Sequence, residues 1–310
     1  MHNWIDYIPE KDREDVRELY KKAKTLESKI ALRREWHPKG YLNLSPIKNL
    51  EEYFKYIRLC TTESTWFRGE QKDFGSLVPK LYRNIDNDKI SEQQKKERKY
   101  FFEFQRRARS LVPEISISDT WSWYFLIQHY GGSTRLLDWS QDAAIALFFS
   151  LGTEMEDTKN PIVTCLAPTT LLTYALEELG GEDHWSSGTV LYPGEKSTDR
   201  WLENITTPND HSVWGLPASP IALLPPHLNP RITAQRSCFT LFGNKPDGFN
   251  KDGKLIVCPC CGRRIFCKLV IDGKRKNDLR KELAKIGITS GKIYPGLDGL
   301  CKEITDEIYT

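Results

Sequence analysis

The chain has 310 residues, enough for one large domain or two small ones, and a formal charge of only +3 at neutral pH. Near-balance excludes recognition driven by bulk charge, though not a local basic groove. No apolar run approaches the ~20 residues of a membrane span, and the opening MHNWIDYIPEKDRED lacks a basic-then-apolar leader pattern, so the expectation is a cytoplasmic protein with no membrane partner.

Lys11 to Arg34 is highly charged and predicts one or two amphipathic helices. Ser45 and Pro46 open a predicted helix through residue 60, with Leu50, Tyr53, Phe54, Ile57 and Leu59 on its apolar face. Thr65-Trp66-Phe67-Arg68-Gly69-Glu70 follows, and its apolar start suits a strand. Gly69 either ends it or lets a ligand approach the backbone. An arginine in so apolar a strand needs an anionic partner, and its planar fork suits a carboxylate or a phosphate. The structural alternative is a bridge to Glu70, Asp138 or another acid.

Leu77 to Arg83 forms a loop or short strand. Ser91 caps a predicted helix from Glu92 to about Leu111, apolar at Tyr100, Phe101, Phe104, Ala108 and Leu111. Its basic residues, Lys95, Lys96, Arg98, Lys99, Arg106, Arg107 and Arg109, form either a solvated face or a contact to nucleic acid.

Trp121 to Leu151 is the most informative stretch. Trp121, Tyr124, Phe125, Ile127 and Gln128 keep helical spacing, capped by Ser118 or Asp119 and broken at Gly131-Gly132. Ser140 is the expected cap of a second, deeply buried helix, Gln141 to Leu151. Polar residues lie between these helices. Arg135 and Asp138 pair with each other or with backbone, because an unpaired buried charge is costly. The segment is either a structural corner or a corner lining a site, with Gln128, His129, Ser133 and Thr134 facing it.

Residues 161–166 predict a buried strand, and Pro168 begins a helix through Leu179. Residues 180–220 lack periodicity and form a long loop region holding His184 and His211. Ile221 to Leu224, Phe239 to Phe242 and Lys268 to Asp272 predict strands. Asn277 to Ile286 predicts a helix stopped by Gly287. Eight cysteines in a cytosolic chain are reduced or metal-bound rather than disulfide-linked. Cys258-Pro259-Cys260-Cys261-Gly262 contains a two-residue knuckle suited to zinc, with Cys267 as a third ligand and no second knuckle to complete the set. Reduced cysteines in a hairpin are the alternative.

Three motifs resemble the FRG-domain family. They are Phe67-Arg68-Gly69; Gln128-His129-Tyr130-Gly131 followed by Thr134-Arg135-Leu136-Leu137-Asp138-Trp139 and Ala146-Leu147-Phe148-Phe149; and Arg231-Ile232 followed by Ala234-Gln235 and Phe239-Thr240. The Tyr294-Pro295-Gly296-Leu297-Asp298-Gly299-Leu300 ending is similar too. The family usually has proline where Ser133 stands, and glycine near Ser237. The resemblance covers residues 45 to about 305. It implies a helical arm at 1–44 and one domain at 45–310, with a Cys-rich insertion near 250–267.

The order of an early strand arginine, a Ser-Thr segment and a late polar motif also resembles the Arg-Ser-Glu type of ADP-ribosyltransferase. That layout implies an α+β fold: a mixed sheet core of ADP-ribosyltransferase-like type flanked by helices, with a small Cys-rich hairpin insertion. It implies NAD as substrate and ADP-ribosyl transfer to RNA, DNA or protein, in a bacterial toxin or anti-phage effector with an antitoxin or other protein partner. The implied catalytic set is Arg68, Thr134, Asp138 and Gln235. The implied nucleotide contacts are Trp66, Phe67, Arg68, Gln128, His129, Tyr130, Ser133, Thr134, Arg135 and Arg231. Gln235 stands where that class has glutamate, so Glu70 or Asp138 supplies the carboxylate, or the chain is a nucleotide- or nucleic-acid-binding module without catalysis.

Overall fold

The computed structural model describes residues 10–25, 28–29, 31–32, 41–42, 45–60, 64–75, 77–152, 159–178, 190–192, 217–227, 229–251, 254–255 and 265–309. A six-stranded sheet runs in the order β4-β5-β2-β1-β3-β8. Its strands are β1 (Trp66–Glu70), β2 (Leu136–Ser140), β3 (Ile162–Leu166), β4 (Ile221–Leu223), β5 (Ser237–Leu241) and β8 (Phe266–Val270). Every neighbouring pair is antiparallel. Among the described residues parallel geometry occurs only at isolated bridges, such as Tyr41 with Lys268 and Ile47 with Ile271. The expected mixed sheet is thus corrected to an antiparallel one, within an α+β fold flanked by helices. β6 (Asn250–Lys251) and β7 (Lys254–Leu255) make a separate small hairpin.

The helices are α1 (Glu10–Lys22), α2 (Leu50–Cys60), α3 (Ile90–Ala108), α4 (Thr120–His129), α5 (Ala143–Leu151), α6 (Pro168–Glu177), α7 (Pro230–Ala234), α8 (Lys276–Lys285), α9 (Ser290–Ile293) and α10 (Leu297–Tyr309). Asp119 caps α4 by accepting from Ser122 N at 3.1 Å. Gly131 supplies the positive φ, +77°, that follows that helix. α2 begins at Leu50 rather than Ser45 because Ile47 is used as sheet edge: its N–H donates to Val270 O and its carbonyl accepts from Asp272 N. α3 starts at Ile90, behind Lys89, so Ser91 lies inside the helix and not at its cap. Ser140 ends β2 instead of capping the next helix. That cap is Asp142, which accepts from Ala144 N at 2.8 Å.

Packing divides the sheet in two. One apolar cluster joins β1, β3 and β8 to α2, α5 and α8 through Tyr53, Phe67, Leu147, Val163, Leu269 and Leu279. A second joins β2, β4 and β5 to α3, α4 and α6 through Phe101, Phe125, Leu136, Leu172, Leu223 and Phe239. A third spans both halves through Trp66, Leu137, Trp139, Leu166 and Phe266. The halves meet at β1 and β2, which share one register pair, Phe67 with Ser140. By contrast β1 pairs with β3, and β2 with β5, over full five-residue registers.

That seam places Asp138. It is the exposed residue within an otherwise buried strand, and it keeps a partner on the β5 side, Phe239. β1 has drawn away on the other side, so the middle of the sheet opens to solvent there. Gly69 has a different task from either one expected of it. The strand continues through it to Glu70, and a Cβ at Gly69 would lie 1.9 Å from Ala146 O and 2.6 Å from Ser150 N. The glycine therefore lets α5 lie directly on the sheet.

Candidate functional site

The split in the sheet opens into a cleft of about 1250 Å³, larger than the ~300–1,000 Å³ of common ligand pockets. β1 contributes Phe67, Arg68 and Glu70, and β2 contributes Asp138 and Ser140. α4 brings Gln128 and His129; the α7 turn brings Arg231 and Gln235. Loops between elements add Gln71, Phe74, Arg83, Asn84, Asp86 and Asp247. The lining thus carries three arginines and four carboxylates.

Arg68 stands at the seam. Its Nη1 donates to Asp138 O at 2.8 Å, and its Nε lies 3.4 Å from Glu70 Oε1. The guanidinium so occupies a carbonyl that a fuller β1–β2 ladder would satisfy with backbone. Both structural partners foreseen for Arg68 are therefore in use, the Asp138 one through its carbonyl. Arg83 is close enough to feel this group: burial first, then the Arg68 charge, holds its pKa below the usual arginine range, against the pull of Glu70 and Asp138.

The Asp138 carboxylate is oriented by a short relay. Thr134 Oγ1 accepts from Leu136 N at 3.1 Å and donates to Gln128 Oε1. This turns the Gln128 amide so that Nε2 donates to Asp138 Oδ2 at 2.9 Å. Thr134 itself is buried, so it positions the site without lining it. His129 sits on the same wall. Its pKa is lowered, first by burial and then by Arg231, while Asp138 opposes the shift.

Arg231 rests on the Tyr294 ring, 4.8 Å from its centroid, and its buried Nε has no hydrogen-bond partner. Gln235 closes the α7 turn. Its carbonyl accepts from Ser140 Oγ at 2.8 Å, and its Nε2 donates to Ile293 O at 3.2 Å. The next residue, Arg236, has φ +46°. A non-glycine residue costs about 1–2 kcal/mol in that region, and the resembled family usually has glycine near the following residue, Ser237.

Of the residues singled out from sequence, Phe67, Arg68, Gln128, His129, Asp138, Arg231 and Gln235 come together on this cleft. Others do not. Trp66 is buried in the spanning cluster with Leu137 and Trp139. Ser133 is half-buried behind the wall, and Tyr130 is exposed beside His129, with ring centroids 5.0 Å apart. Arg135 is fully internal and pairs with Glu97 of α3, so the expected Arg135–Asp138 pair is corrected. Sequence reasoning missed Phe74, Arg83, Asp86 and Asp247. Arg83 alone carried a signal, as a lone cation after the buried Leu81-Tyr82 step.

The basic run of α3 is largely answered within the helix. Lys96 pairs with Glu92, and Arg106 and Arg107 pair with Glu103. Arg98 lies over Phe102, and Arg109 donates to the carbonyls of Pro113 and Ile115. These contacts fit the solvated-face reading.

The zinc expectation is overturned. Among the described residues no group of three or more His, Cys, Asp or Glu side chains could hold a metal ion. Cys267, the expected third ligand, is a buried core residue of β8 opposite Cys165. Cys258, Cys260 and Cys261 lie outside the described residues, as do His184 and His211. Among the described residues no helix is long and apolar enough to cross a membrane.

Residues 63–159 match the family model of the FRG domain. An FRG-domain region is therefore present, holding β1, α3, α4, β2 and α5 and with them most of the cleft. No curated protein and no solved structure matches the chain.

Proposed function

We infer that the cleft binds NAD and transfers its ADP-ribose to a macromolecular acceptor. One observation carries the reading: Asp138 projects its carboxylate into a large cleft between two cationic poles. Arg68 and Arg83 lie on one side and Arg231 on the other, next to His129, whose lowered pKa favours the neutral imidazole. Planar guanidinium forks suit a diphosphate. A carboxylate fixed between them suits the ribose carbon that turns cationic as its bond to nicotinamide breaks.

In that reaction the C–N bond to nicotinamide cleaves and its electron pair leaves with the nicotinamide, which departs neutral. An acceptor lone pair forms the new bond to the ribose carbon, and the acceptor loses a proton. Asp138 stabilises the developing cation. Its orientation depends on Gln128 and Thr134. Glu70 is less free for the task, being buried against Arg68.

A second reading is nucleotide binding without cleavage. It is favoured by Gln235, a neutral amide already tied to Ile293 O where a glutamate would serve transfer. Incubating purified protein with labelled NAD, alone and with mixed RNA, DNA and protein, separates the two. Release of nicotinamide with label on an acceptor supports transfer. Saturable binding with no release supports the second reading, and neither binding nor release would sink both.

A further inference from the structure

Phe74 is the least expected residue on the cleft. It lines the wall between β1 and the 77–83 segment, yet it is 59% exposed. A single exposed apolar side chain on a mobile loop would call for no explanation. This loop is tied down through Asp73, the residue before Phe74. Asp73 accepts from the Tyr41 hydroxyl at Oδ2, and from Lys268 Nζ at 3.1 Å and Gly75 N at 2.9 Å at Oδ1. Lys268 is itself buried on β8, 4% exposed, so the anchor is fixed to the sheet. Gly75 follows with φ +83°, and its N–H turns back to Asp73.

The backbone that carries the phenyl ring is thus anchored, and the ring stands exposed at the edge of a polar cleft. Lys72 Nζ stands 5.1 Å from the ring centroid. The same ring also lines the cleft. An exposed aromatic face beside arginines offers stacking to a flat heterocycle whose phosphates the arginines hold.

We propose that Phe74 is the floor of a ring-binding subsite that takes the planar base of a nucleotide. The subsite builds on the nucleotide reading of the cleft and adds which wall receives a ring. Stacking is insensitive to which heterocycle is present, so the subsite accepts adenine and nicotinamide alike and supplies affinity rather than chemistry.

Titration calorimetry on wild type, Phe74→Ala and Phe74→Tyr tests it, with NAD, ADP and adenosine as ring-bearing probes and pyrophosphate as the ring-free one. Because the side chain is exposed, all three proteins should melt alike. Phe74→Ala should weaken NAD and ADP at least about tenfold, leave pyrophosphate unchanged, and be rescued by Phe74→Tyr. Wild-type affinity for NAD and ADP in Phe74→Ala would overturn the subsite, as would failure of wild type to bind any ring-bearing probe. Ring-dependent binding without nicotinamide release would keep the subsite and remove the transfer reaction. Nicotinamide release with unchanged KM in Phe74→Ala would do the reverse.

Discussion

Glu97 and Arg135 form an ion pair inside the core, with Oε2 2.7 Å from Nε and side chains only 2% and 5% exposed. Glu97 Oε1 also accepts from Arg135 N at 2.9 Å and from the Tyr124 hydroxyl. Burial alone would lower the Arg135 pKa; the Glu97 charge, with Tyr82 and Tyr124, overrides this and raises it. Burial, then Glu97, raises that of Tyr124. Arg135 thus stays charged, and the pair fastens the start of β2 to α3. Glu97→Ala should cost about 3–5 kcal/mol of stability, since it strands a buried guanidinium. Adding Arg135→Met should restore much of it. Denaturant unfolding of the single and double variants checks both, and a double variant no better than the single would refute the stranded-charge account.

Gly69→Ala should destabilise the protein by about 1–3 kcal/mol or more, because backbone and not a flexible side chain meets the new methyl. Its unfolding midpoint in denaturant is the measure. The neighbouring Arg68 should respond differently. Arg68→Lys keeps charge but loses the fork that reaches Asp138 O and Glu70 together. Nucleotide affinity should fall at least about tenfold, with near-wild-type melting.

Asp138→Asn should leave the fold intact, because Arg135 does not depend on that carboxylate, and Asn can still accept from Gln128. Turnover of NAD should drop by about a hundredfold or more, with binding little changed. Gln235→Ala should lower kcat less than Asp138→Asn does. The reverse ranking, seen in single-turnover nicotinamide release, would move the ribose-orienting role to Gln235.

His129 sets an acid limit. Its folded-state pKa is below the usual 6.5, so the folded protein binds this proton less readily than the unfolded chain. The stability it contributes is complete above about 6.5 and is lost as pH falls from there through the lowered value. His129→Gln should flatten the fall in melting temperature between neutral pH and about 5. An unchanged profile would remove His129 as its source.

Local signals carried much of this fold. The Asp119 cap, the Gly131 break, the apolar run of β3 and the α8 helix all follow from adjacent residues. β2 escaped notice because Asp138 interrupts a short apolar segment that otherwise continues the preceding turn. The position of α2 shifted because Ile47 bonds to residues far along the chain. Arg135 invited pairing with the nearest acid in sequence, whereas its partner lies 38 residues upstream. The cleft itself is non-local. It exists because two strands part after one pair, and nothing in either strand alone announces that.

The seam also bears on which piece of the chain can stand by itself. The region matching the FRG domain, 63–159, contains both strands that border the split but none of their outer neighbours. β1 finds its full ladder on β3 at 162–166, and β2 on β5 at 237–241. Cut free, that region would keep one register pair and present two bare apolar strand edges to solvent. Such edges recruit other chains. The recognisable region is therefore a sequence signature embedded in a larger cooperative unit, and expressed alone it should aggregate rather than fold.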